Sequence, residues 1–488
     1  MSASQAVIPD NEAEWRRASI LLAAGEATLV SLWGDEGRMR MALRQASGAV
    51  SFVEVACEDG SFPSVAAVHA PADRLERAAC DLFGFTAREA TDKRRWLDHG
   101  CWPVRDPLGR PALHDGAPDA YAFLKAEGEG LHQIPVGPVH AGIIEPGHFR
   151  FHAGGEAVIR LEERLGYVHK GVDGLMRGAS VERASVLAGR VSGDSTAAYA
   201  VAFARAVEAA LAIDAPARAH GLRGLMAELE RIANHFGDIG AICNDAAFAL
   251  MHAHCGILRE RTLRVAKAAF GHRLMMDAIV PGGVAVDLTP EGAEAIRGLV
   301  REVRTTFPGL VRLYDNTASL QDRTVGTGVL KADLARRFGA GGVIGRASGR
   351  DFDARRDCAY PPYDAFSFKV PIRRAGDVNA RIWVRIEEVG ESLDLIEAML
   401  LRLAGGPVRA SLPLAGGARE GFALVEAFRG DVFAHVRLMD DGAVARCHLR
   451  DASWFQWPLL EAVIEGNIVA DFPLCNKSFN CSYSGCDL

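Results

Sequence analysis

The fold of the central region is decided by residues 223–241, RGLMAELERIANHFGDIGA. Here and at the residue just before, large apolar side chains recur at steps of three and four: Leu222, Leu225, Leu229, Ile232, Phe236 and Ile239. Side chains three and four positions apart lie on the same side of a helix. The spacing therefore predicts a helix with one buried face, and Pro216 stands where Pro favours a helix start.

Two flanking segments extend this prediction to a helix bundle. Residues 195–213 and 245–270 are rich in Ala and have similar helical patterns. Three successive helices with short connections are typical of a bundle, and Pro281-Gly282-Gly283 ends the region. After residue 340 the patterns are mixed. They predict strands at 381–386 and 421–427 and a helix at 393–403.

The first hundred residues have a different character. Residues 27–33 and 49–55 are rich in the residue types that favour strands, and residues 71–82 have a helical composition with Gly84 just beyond. Residues 101–135 are rich in Pro, Gly and Asp and are the best linker candidate. The sequence thus predicts an α+β fold. A small α+β N-terminal domain precedes a large, mainly α domain with a central helix bundle and peripheral short strands.

Composition excludes several classes of protein. Of 488 residues, 49% are hydrophobic and 24% are charged, which is typical of a globular protein. The formal net charge of −7 lacks the basic excess that nucleic-acid binding normally needs, so we expect no nucleic-acid partner. No apolar run reaches the ~20 residues of a membrane helix. The first residues contain no signal-peptide core, so we expect a cytoplasmic chain.

Several motifs of cofactor chemistry are absent from the sequence. There is no P-loop, no GxGxxG after a strand, no HExxH and no CxxC, so nicotinamide, zinc or iron–sulfur binding by this chain has no motif support. Three of the ten cysteines crowd the C-terminus: Cys475, Cys481 and Cys486. Their spacing matches no common ligand pattern. Free thiols are the favoured interpretation, and a metal site is the alternative.

Two local patterns suggest functional sites. Glu145 stands between apolar residues and the turn Pro146-Gly147, where a partly buried carboxylate would have a raised pKa suited to proton transfer. The alternative is an exposed turn residue. Residues 346–357 hold four Arg and three Asp. This patch could organise a buried charged site or a contact between subunits, and the alternative is a solvated loop.

Several separate stretches resemble one superfamily. They are GPVHAGIIEPGHFRF (137–151), LGYVHKGVDGLM (165–176), RGLMAELERIANHFGDIGA (223–241), FGHRLMMDAIVPGGV (270–284), GRASGRDFDARRDCAYPPYD (345–364) and VRIEEVGESLDLIE (384–397). The superfamily comprises the large subunit of membrane-bound, energy-converting NiFe hydrogenases (group 4, the formate-hydrogenlyase type) and the quinone-site 49-kDa-type subunit of respiratory complex I.

The N-terminal region resembles a second subunit of complex I. Residues 75–85, LERAACDLFGF, are similar to the 30-kDa-type subunit, which is fused ahead of the large subunit in formate-hydrogenlyase-type proteins. The resemblance implies a 30-kDa-like domain at 1–118, a linker at 119–135 and a large-subunit domain at 136–488.

The resemblance fails at the nickel-ligand positions. NiFe hydrogenases hold nickel and iron with four thiolates, from an RxCGxC motif and a C-terminal DPCxxC motif. The matching positions here are Ser192, Ser195, Ser482 and Gly485. Hydroxyls and a glycine are poor substitutes for four thiolates, so we expect no NiFe centre and no hydrogenase activity.

The resemblance also implies roles for individual residues. Glu145 matches a family glutamate implicated in proton transfer, and Arg346, Asp351 and Arg355 match a motif near the old active-site cavity. We expect these four to be catalytic. The histidines expected to line a quinone cavity are His140, His148, His169 and His235. The second histidine and the tyrosine of the complex I quinone site have no evident match.

The implied function is that of a subunit in a membrane-associated, complex I-like oxidoreductase. The chain would form the cavity next to a 4Fe–4S cluster in an iron–sulfur small subunit and pass electrons to a quinone or similar acceptor. It would bind no cofactor itself. Membrane antiporter-like subunits are further expected partners, in an NADH dehydrogenase-like, NAD-binding assembly peripheral on the cytoplasmic face of the inner membrane. The alternatives are a non-catalytic scaffold with a decayed NiFe site, and a different metal bound by the C-terminal cysteines.

Overall fold

The computed structural model describes residues 12–113, 120–139, 144–413, 417 and 419–488. The N-terminal region is built around an antiparallel sheet in the order β1-β2-β3. Its helices and strands are α1 (Glu12–Ala24), β1 (Ala27–Asp35), β2 (Arg38–Gln45), β3 (Val50–Ala56), β4 (Ser61–Pro63), α2 (Asp73–Phe83), β5 (Thr86–Arg88), β6 (Val104–Arg105) and β7 (Ala112–Leu113). The predicted strands and helix of this region are confirmed within two or three residues.

A second antiparallel sheet, in the order β10-β9-β8, leads into the helical centre. The elements are β8 (Leu131–Val136), β9 (His148–Gly154), β10 (Ala157–Arg164), α3 (Val172–Met176), α4 (Val181–Ala188), α5 (Thr196–Leu211), α6 (Ala217–Asp245), α7 (Ala249–Phe270), β11 (Ile279–Val280) and β12 (Gly283–Val284). The three predicted central helices are confirmed as α5, α6 and α7, and the Pro-Gly-Gly break forms the short β11–β12 hairpin.

The remaining residues form further helices and a third antiparallel sheet, in the order β13-β14-β15. The helices are α8 (Pro290–Asn316), α9 (Ala318–Thr324), α10 (Ala332–Arg337), α11 (Gly342–Ala347), α12 (Ala354–Asp357), α13 (Val378–Leu401), α14 (Ser453–Ile464), α15 (Phe472–Phe479) and α16 (Ser484–Asp487). The strands are β13 (Arg419–Ala427), β14 (Gly430–Leu438) and β15 (Val444–Arg450). The fold is thus α+β, as predicted.

Helix α6 is the centre of the molecule. All six side chains of its apolar stripe are at most 1% exposed, and α6 packs against both α7 and α13. Polar residues on its other faces are buried as well, including Glu228, Arg231 and His235. A helix with buried polar groups on several faces places those groups inside the protein, where they need partners.

The strand predicted at 381–386 is wrong, because these residues belong to α13. Their β-branched and aromatic character resembles a strand, but Asp377 caps a helix start by accepting the N–H of Ala380 (2.7 Å). Arg381 and Arg385, one helical turn apart, both donate to Ser478 on α15. Long-range packing therefore overrides the local preference for a strand. The predicted strand at 421–427 and the predicted helix at 393–403 are confirmed within β13 and α13.

The N-terminal sheet packs directly on the third sheet. Trp33 stacks on His448 with ring centroids 4.9 Å apart, and Arg450 donates from Nε to the carbonyl oxygen of Val30 (2.7 Å). The division at 118 and 135 stays a prediction, since residues 114–119 lie outside the described part of the chain. In the part that is described, no helix combines the length and the apolarity needed to cross a membrane.

Candidate functional site

The four positions that the sequence matches to thiolate ligands of the resembling hydrogenases come together in the structure. Ser192 Oγ lies 3.1 Å from Ser482 Oγ, and Gly485 donates its N–H to Ser482 Oγ (2.9 Å). Ser195 joins them through Asp194, whose Oδ1 accepts from Ser192 (2.8 Å) and from Ser195 (3.3 Å). Two distant parts of the chain thus build one polar cluster, here called the serine cluster.

An ion pair lies at the centre of the serine cluster. Arg429 donates from Nη2 to Asp194 Oδ2 (2.6 Å) and from Nη1 to Asp194 Oδ1 (2.7 Å). Nη1 also donates to Ser195 Oγ (3.0 Å). Burial opposes ionisation of Asp194, but the charge of Arg429 and the hydrogen bonds hold the pKa of this carboxyl below its usual value. The pair is therefore charged at neutral pH, and its two-point geometry is the strong form of such a contact.

Four parts of the chain position this pair. Asp194 lies in the 3-10 turn that precedes α5, and Arg429 lies in the turn between β13 and β14. Asn234 on α6 donates to the backbone oxygen of Asp194 (2.8 Å), and Arg429 Nε donates to the backbone oxygen of Asn480. Arg429 is buried, whereas a third of the Asp194 side chain is exposed. The pair consequently reaches the surface at Asp194.

These donors do not fit a NiFe centre. The hydroxyls of Ser192 and Ser482 bond to each other, and the fourth position, Gly485, has no side chain. A Cβ added at Gly485 would lie 2.9 Å from the Asp451 carboxyl group, which Tyr199 holds in place (2.9 Å). Across the described residues, no group of three or more His, Cys, Asp or Glu side chains is arranged to hold a metal.

The C-terminal cysteines are part of the core. Cys475, Cys481 and Cys486 are all buried and unbonded to one another. Burial raises the pKa of Cys475 to about 11 and raises the pKa of Cys481 and Cys486 well above the usual value. Metals bind the thiolate form. Among the described residues no group of metal ligands forms around these cysteines, and the alternative of a different metal there stays a prediction.

A second buried cluster surrounds Arg346, one of the predicted site residues. Arg346 pairs with Glu388 (Nη2–Oε1, 2.6 Å) and with Glu426 (Nη1–Oε1, 2.7 Å), and lies 3.4 Å from Asp353. His235 Nε2 lies 2.7 Å from Glu388 Oε2. All five side chains are at most 1% exposed, so this group, here called the arginine network, is shielded from water.

Arg355 extends the arginine network toward α6. It pairs with Asp353 (2.7 Å) and Glu228 (3.0 Å). Glu228 also accepts from Tyr363 (2.6 Å) and from Ser392 (2.6 Å). Each charge in the network is thus hydrogen-bonded on several sides, which is what a buried charge requires.

The arginine network contains one more carboxylate than guanidinium among the described residues. Its charged members are Glu228, Asp353, Glu388 and Glu426, and Arg231, Arg346 and Arg355. Burial and the charge of Asp353 raise the pKa of Glu426. Burial opposes ionisation of Glu388 too, but Arg346 and His235 hold its pKa well below the usual value. Glu426 is therefore the member best suited to hold a proton.

Two predicted catalytic carboxylates lie at the surface instead. The Asp351 side chain is 63% exposed and pairs with Arg356 (2.7 Å), and the buried carboxylate is Asp353, two residues later. Glu145 is exposed as well, which is the alternative that the sequence left open. Its Oε2 accepts the N–H of Ser484 (2.9 Å), so Glu145 still contacts the segment that forms the serine cluster.

The four predicted histidines do not share one cavity among the described residues. His140 lies outside the described part of the chain. His235 belongs to the arginine network, and His169 Nδ1 lies 2.6 Å from the backbone oxygen of Asp487. His148 begins β9 and lines a separate cavity at the N-terminal region. The three described histidines thus lie in separate surroundings, and their role in binding a quinone stays a prediction.

Helix α6 and the β13–β14 turn connect the two clusters. Glu228, Arg231 and His235 point from α6 into the arginine network, while Asn234 reaches the serine cluster. Glu426 and Arg429 lie three residues apart at the β13–β14 turn and belong to one cluster each. Sequence reasoning missed both, and the one signal for them was the set of polar residues within the buried α6 pattern.

Comparisons with known proteins agree with this arrangement. A family model described as "Respiratory-chain NADH dehydrogenase, 49 Kd subunit" matches residues 245–416, and "Respiratory-chain NADH dehydrogenase, 30 Kd subunit" matches residues 32–113. The chain is 31% identical over 447 residues to formate hydrogenlyase subunit 5 of Escherichia coli K12, spanning 89% of this chain and 78% of that protein. It is 30% identical over 451 residues to hydrogenase-4 component G of the same organism, at 89% and 77% coverage.

Two further similarities concern complex I and a solved structure. The fused C/D polypeptide of the NADH-quinone oxidoreductase from Phocaeicola vulgatus is 26% identical over 437 residues, covering 84% of each chain. A chain of the membrane-bound sulfane sulfur reductase, an archaeal respiratory membrane complex, has the same fold (TM-score 0.69). It is 24% identical and covers 74% of this chain and 99% of that chain.

The fold and the four converging positions define a large-subunit protein of the complex I and NiFe-hydrogenase type. The chain belongs to the family of formate hydrogenlyase subunit 5 and hydrogenase-4 component G. In this chain a 30-kDa-type region precedes a 49-kDa-type region. The predicted resemblance is confirmed.

Proposed function

We propose that this chain is a redox-module subunit of a membrane-associated, complex I-like oxidoreductase and that it passes electrons from a partner's iron–sulfur cluster to a quinone or similar acceptor. The observation that carries the proposal is the Asp194–Arg429 pair at the converged ligand positions. The chain keeps the large-subunit fold, but the side chains at the matched ligand positions are suited to stabilising charge rather than to binding a metal. The similarity to NADH-quinone oxidoreductase subunits supports a quinone as acceptor.

The proposed partners follow from the family. An iron–sulfur small subunit would hold the 4Fe–4S cluster near the exposed edge of the serine cluster, where a third of Asp194 reaches the surface. Antiporter-like subunits would anchor the assembly at the membrane. This chain would hold no cofactor of its own, and its location would be peripheral, on the cytoplasmic face.

Arg429 has the central electrostatic role in this proposal. A fixed guanidinium favours negative charge that develops close by, because preorganised charge needs no reorganisation when the electron arrives. Asp194 holds the guanidinium in place through two hydrogen bonds. The serine cluster would thus stabilise an acceptor as it becomes reduced.

The arginine network and Glu145 would bind and transfer protons. Arg346 and Arg355 position the buried carboxylates, and the raised pKa of Glu426 allows it to hold a proton close to the serine cluster. Glu145 lies at the surface and accepts from Ser484, where it can exchange protons with solvent. Asp351 is exposed and pairs with Arg356. Among the described residues it contacts neither cluster, and it is left out of the proposed site.

Quinone reduction by the purified complex tests this function. We expect cluster-dependent reduction of a soluble quinone, a loss of at least ~100-fold with Arg429→Gln, and a smaller loss with Glu145→Gln. Arg304→Gln, on the exposed face of α8, is the control and should leave the rate unchanged. Absence of quinone reduction in the wild-type complex would overturn the proposal.

A scaffold is the second candidate, and one observation favours it. The hydroxyls of the serine cluster bond to each other and to Asp194, and the described histidines form no common cavity. A scaffold predicts that Arg429→Gln and Glu145→Gln leave the turnover of the assembled complex unchanged. The quinone assay above therefore separates the two functions.

A further inference from the structure

A cavity of about 600 Å³ lies where the N-terminal region meets β9 and β10. This volume is in the range of small-molecule sites, ~300–1,000 Å³. Its charged lining is mostly basic: Lys93, Arg94, Arg95, Arg150, Arg164 and Asp98. The cavity is separate from the serine cluster and from the arginine network, and the proposed function does not use it.

Part of this positive charge has no carboxylate partner among the described residues. Arg94 pairs with Glu162 (2.6 Å) and Arg95 with Asp98 (2.7 Å), which neutralises both. Lys93, Arg150 and Arg164 form no such pair in the described residues. Three unneutralised cations in one cavity of a chain with net charge −7 create a local positive potential.

Arg164 is the most unusual of the three. It is only 3% exposed, and its guanidinium lies over the Tyr121 ring at 4.4 Å. Its one hydrogen bond among the described residues goes from Nη1 to the backbone oxygen of Trp96. Burial lowers the pKa of Arg164 to about 10, so the group stays charged at neutral pH. A buried cation without a carboxylate is costly unless an anion pairs with it.

Arg150 is arranged in a similar way. Its guanidinium lies over the Phe123 ring at 4.3 Å, and it donates from Nε to His148 (3.2 Å) and from Nη1 to Gln133 (3.1 Å). An arginine stacked on an aromatic ring still presents N–H donors in its own plane. Both arginines line the same cavity, and guanidinium groups are suited to oxyanions that accept hydrogen bonds in pairs.

We propose that this cavity binds a phosphate-bearing anion, with Arg164 and Arg150 as hydrogen-bond donors and Lys93 as a further cation at the rim. A phosphate monoester carries roughly −1.5 to −2 charges at neutral pH, which suits three unpaired cations. The same chemistry occurs in a lipid headgroup and in a free phosphate compound, and the experiment below distinguishes these sources.

Calorimetric titration of the full chain tests the proposal. Inorganic pyrophosphate and monomeric dihexanoylphosphatidylglycerol are the two probes. We expect saturable binding that weakens with added salt and becomes about tenfold weaker in Arg150→Gln, the loss typical of one charge-assisted hydrogen bond. Arg301→Gln, an exposed arginine on α8, is the matched control and should bind as the wild type does. If Arg150→Gln does not fold, Lys93→Gln replaces it, and weaker binding of the probes is expected there too.

Each outcome supports or overturns the proposal. Competition between the probes supports a general phosphate site, binding of the lipid alone supports a headgroup site, and binding of pyrophosphate alone supports a soluble ligand. Absence of saturable binding, or equal binding by Arg150→Gln, overturns the proposal. Loss of a partner protein from the Arg150→Gln complex, without anion binding to the wild-type chain, also overturns it and identifies a protein contact.

Discussion

Arg429 and Asp194 are 235 positions apart in the sequence, yet they form a two-point ion pair with N–O distances of 2.6 and 2.7 Å. The pair lies among the four positions that the sequence resemblance matches to the metal ligands of hydrogenases. It joins the start of α5 to the β13–β14 turn, and among the described residues the buried guanidinium forms its ion pair with this carboxylate alone. The charge of Asp194 is therefore a structural requirement.

Asp194→Asn is expected to destabilise the chain, because Arg429 would keep its charge without a partner. Breaking a fully buried pair costs ~3–5 kcal/mol, and we expect ~2–3 kcal/mol here since a third of Asp194 is exposed. Asp277→Asn is the control, because it breaks the exposed pair with Arg190 (2.7 Å) and should cost less than ~1 kcal/mol. Urea unfolding measures both, and equal losses would contradict the assigned role.

Gly485→Ala tests how tightly the C-terminal segment is packed. The added methyl group would lie 2.9 Å from the Asp451 carboxyl group, so we expect a loss of ~1–3 kcal/mol from overpacking. Gly390→Ala is the control, since this exposed glycine of α13 has open space around it and the change should stabilise the helix by ~0.5–1 kcal/mol. A Gly485→Ala chain as stable as the wild type would show that the segment is loosely packed.

The two acidic residues at 351 and 353 should behave differently. Asp353→Asn removes a fully buried partner of Arg355, and we expect a loss of ~3–5 kcal/mol in the free energy of unfolding. Asp351→Asn removes only a surface contact with Arg356 and should change stability by less than ~1 kcal/mol. Thermal and urea unfolding of the two variants check this difference. The reverse order would mean that Asp351, as the sequence suggested, lies inside the site.

Asp487 should make stability depend on pH. Its carboxyl group accepts the N–H groups of Gly166 (2.9 Å) and Val168 (3.0 Å), and burial raises its pKa from 3.8 to about 7, with Glu145 adding to the rise. The unfolded chain therefore releases this proton first as pH rises. The contribution of Asp487 is fully present below pH 3.8 and is lost as the pH passes about 7.

Comparison of the wild type with Asp487→Asn isolates this contribution, because the other carboxyl groups with a raised pKa are present in both chains. Between pH 4 and 7 the wild type should lose stability relative to the variant, at up to ~1.4 kcal/mol per pH unit. Urea unfolding at several pH values measures the difference. A difference that stays constant across this window would rule out the raised pKa.

Much of the fold could be predicted from local patterns. The stripe from Leu222 to Ile239 is a clear helical signal, and the structure buries it completely. The start of α13 could not be predicted, because RIWVRI at 381–386 has the composition of a strand. Its helical form depends on the Asp377 cap and on contacts with Ser478 in a distant helix. The spacing of apolar residues shows which side chains share a helix face. It does not show which distant residues those side chains contact.

The candidate site, like the fold, could be predicted only in part from the sequence. The resemblance located the four ligand positions, and the structure brings them together. Arg429 was missed because its partner Asp194 is remote in sequence. The choice between Asp351 and Asp353 could not be made locally, since two carboxylates in one Arg-rich loop look alike until burial separates them. The raised pKa of Glu426 also arises only from the assembled network.

The nickel content of the purified complex, measured per copy of this chain by mass spectrometry after growth with nickel, tests the central claim most directly. We expect no nickel above background, because an Asp–Arg pair and three hydroxyls stand where the hydrogenases have thiolates. Iron should match the cluster of the partner protein alone. About one nickel per chain, the filling expected of a tight metal site, would contradict the account.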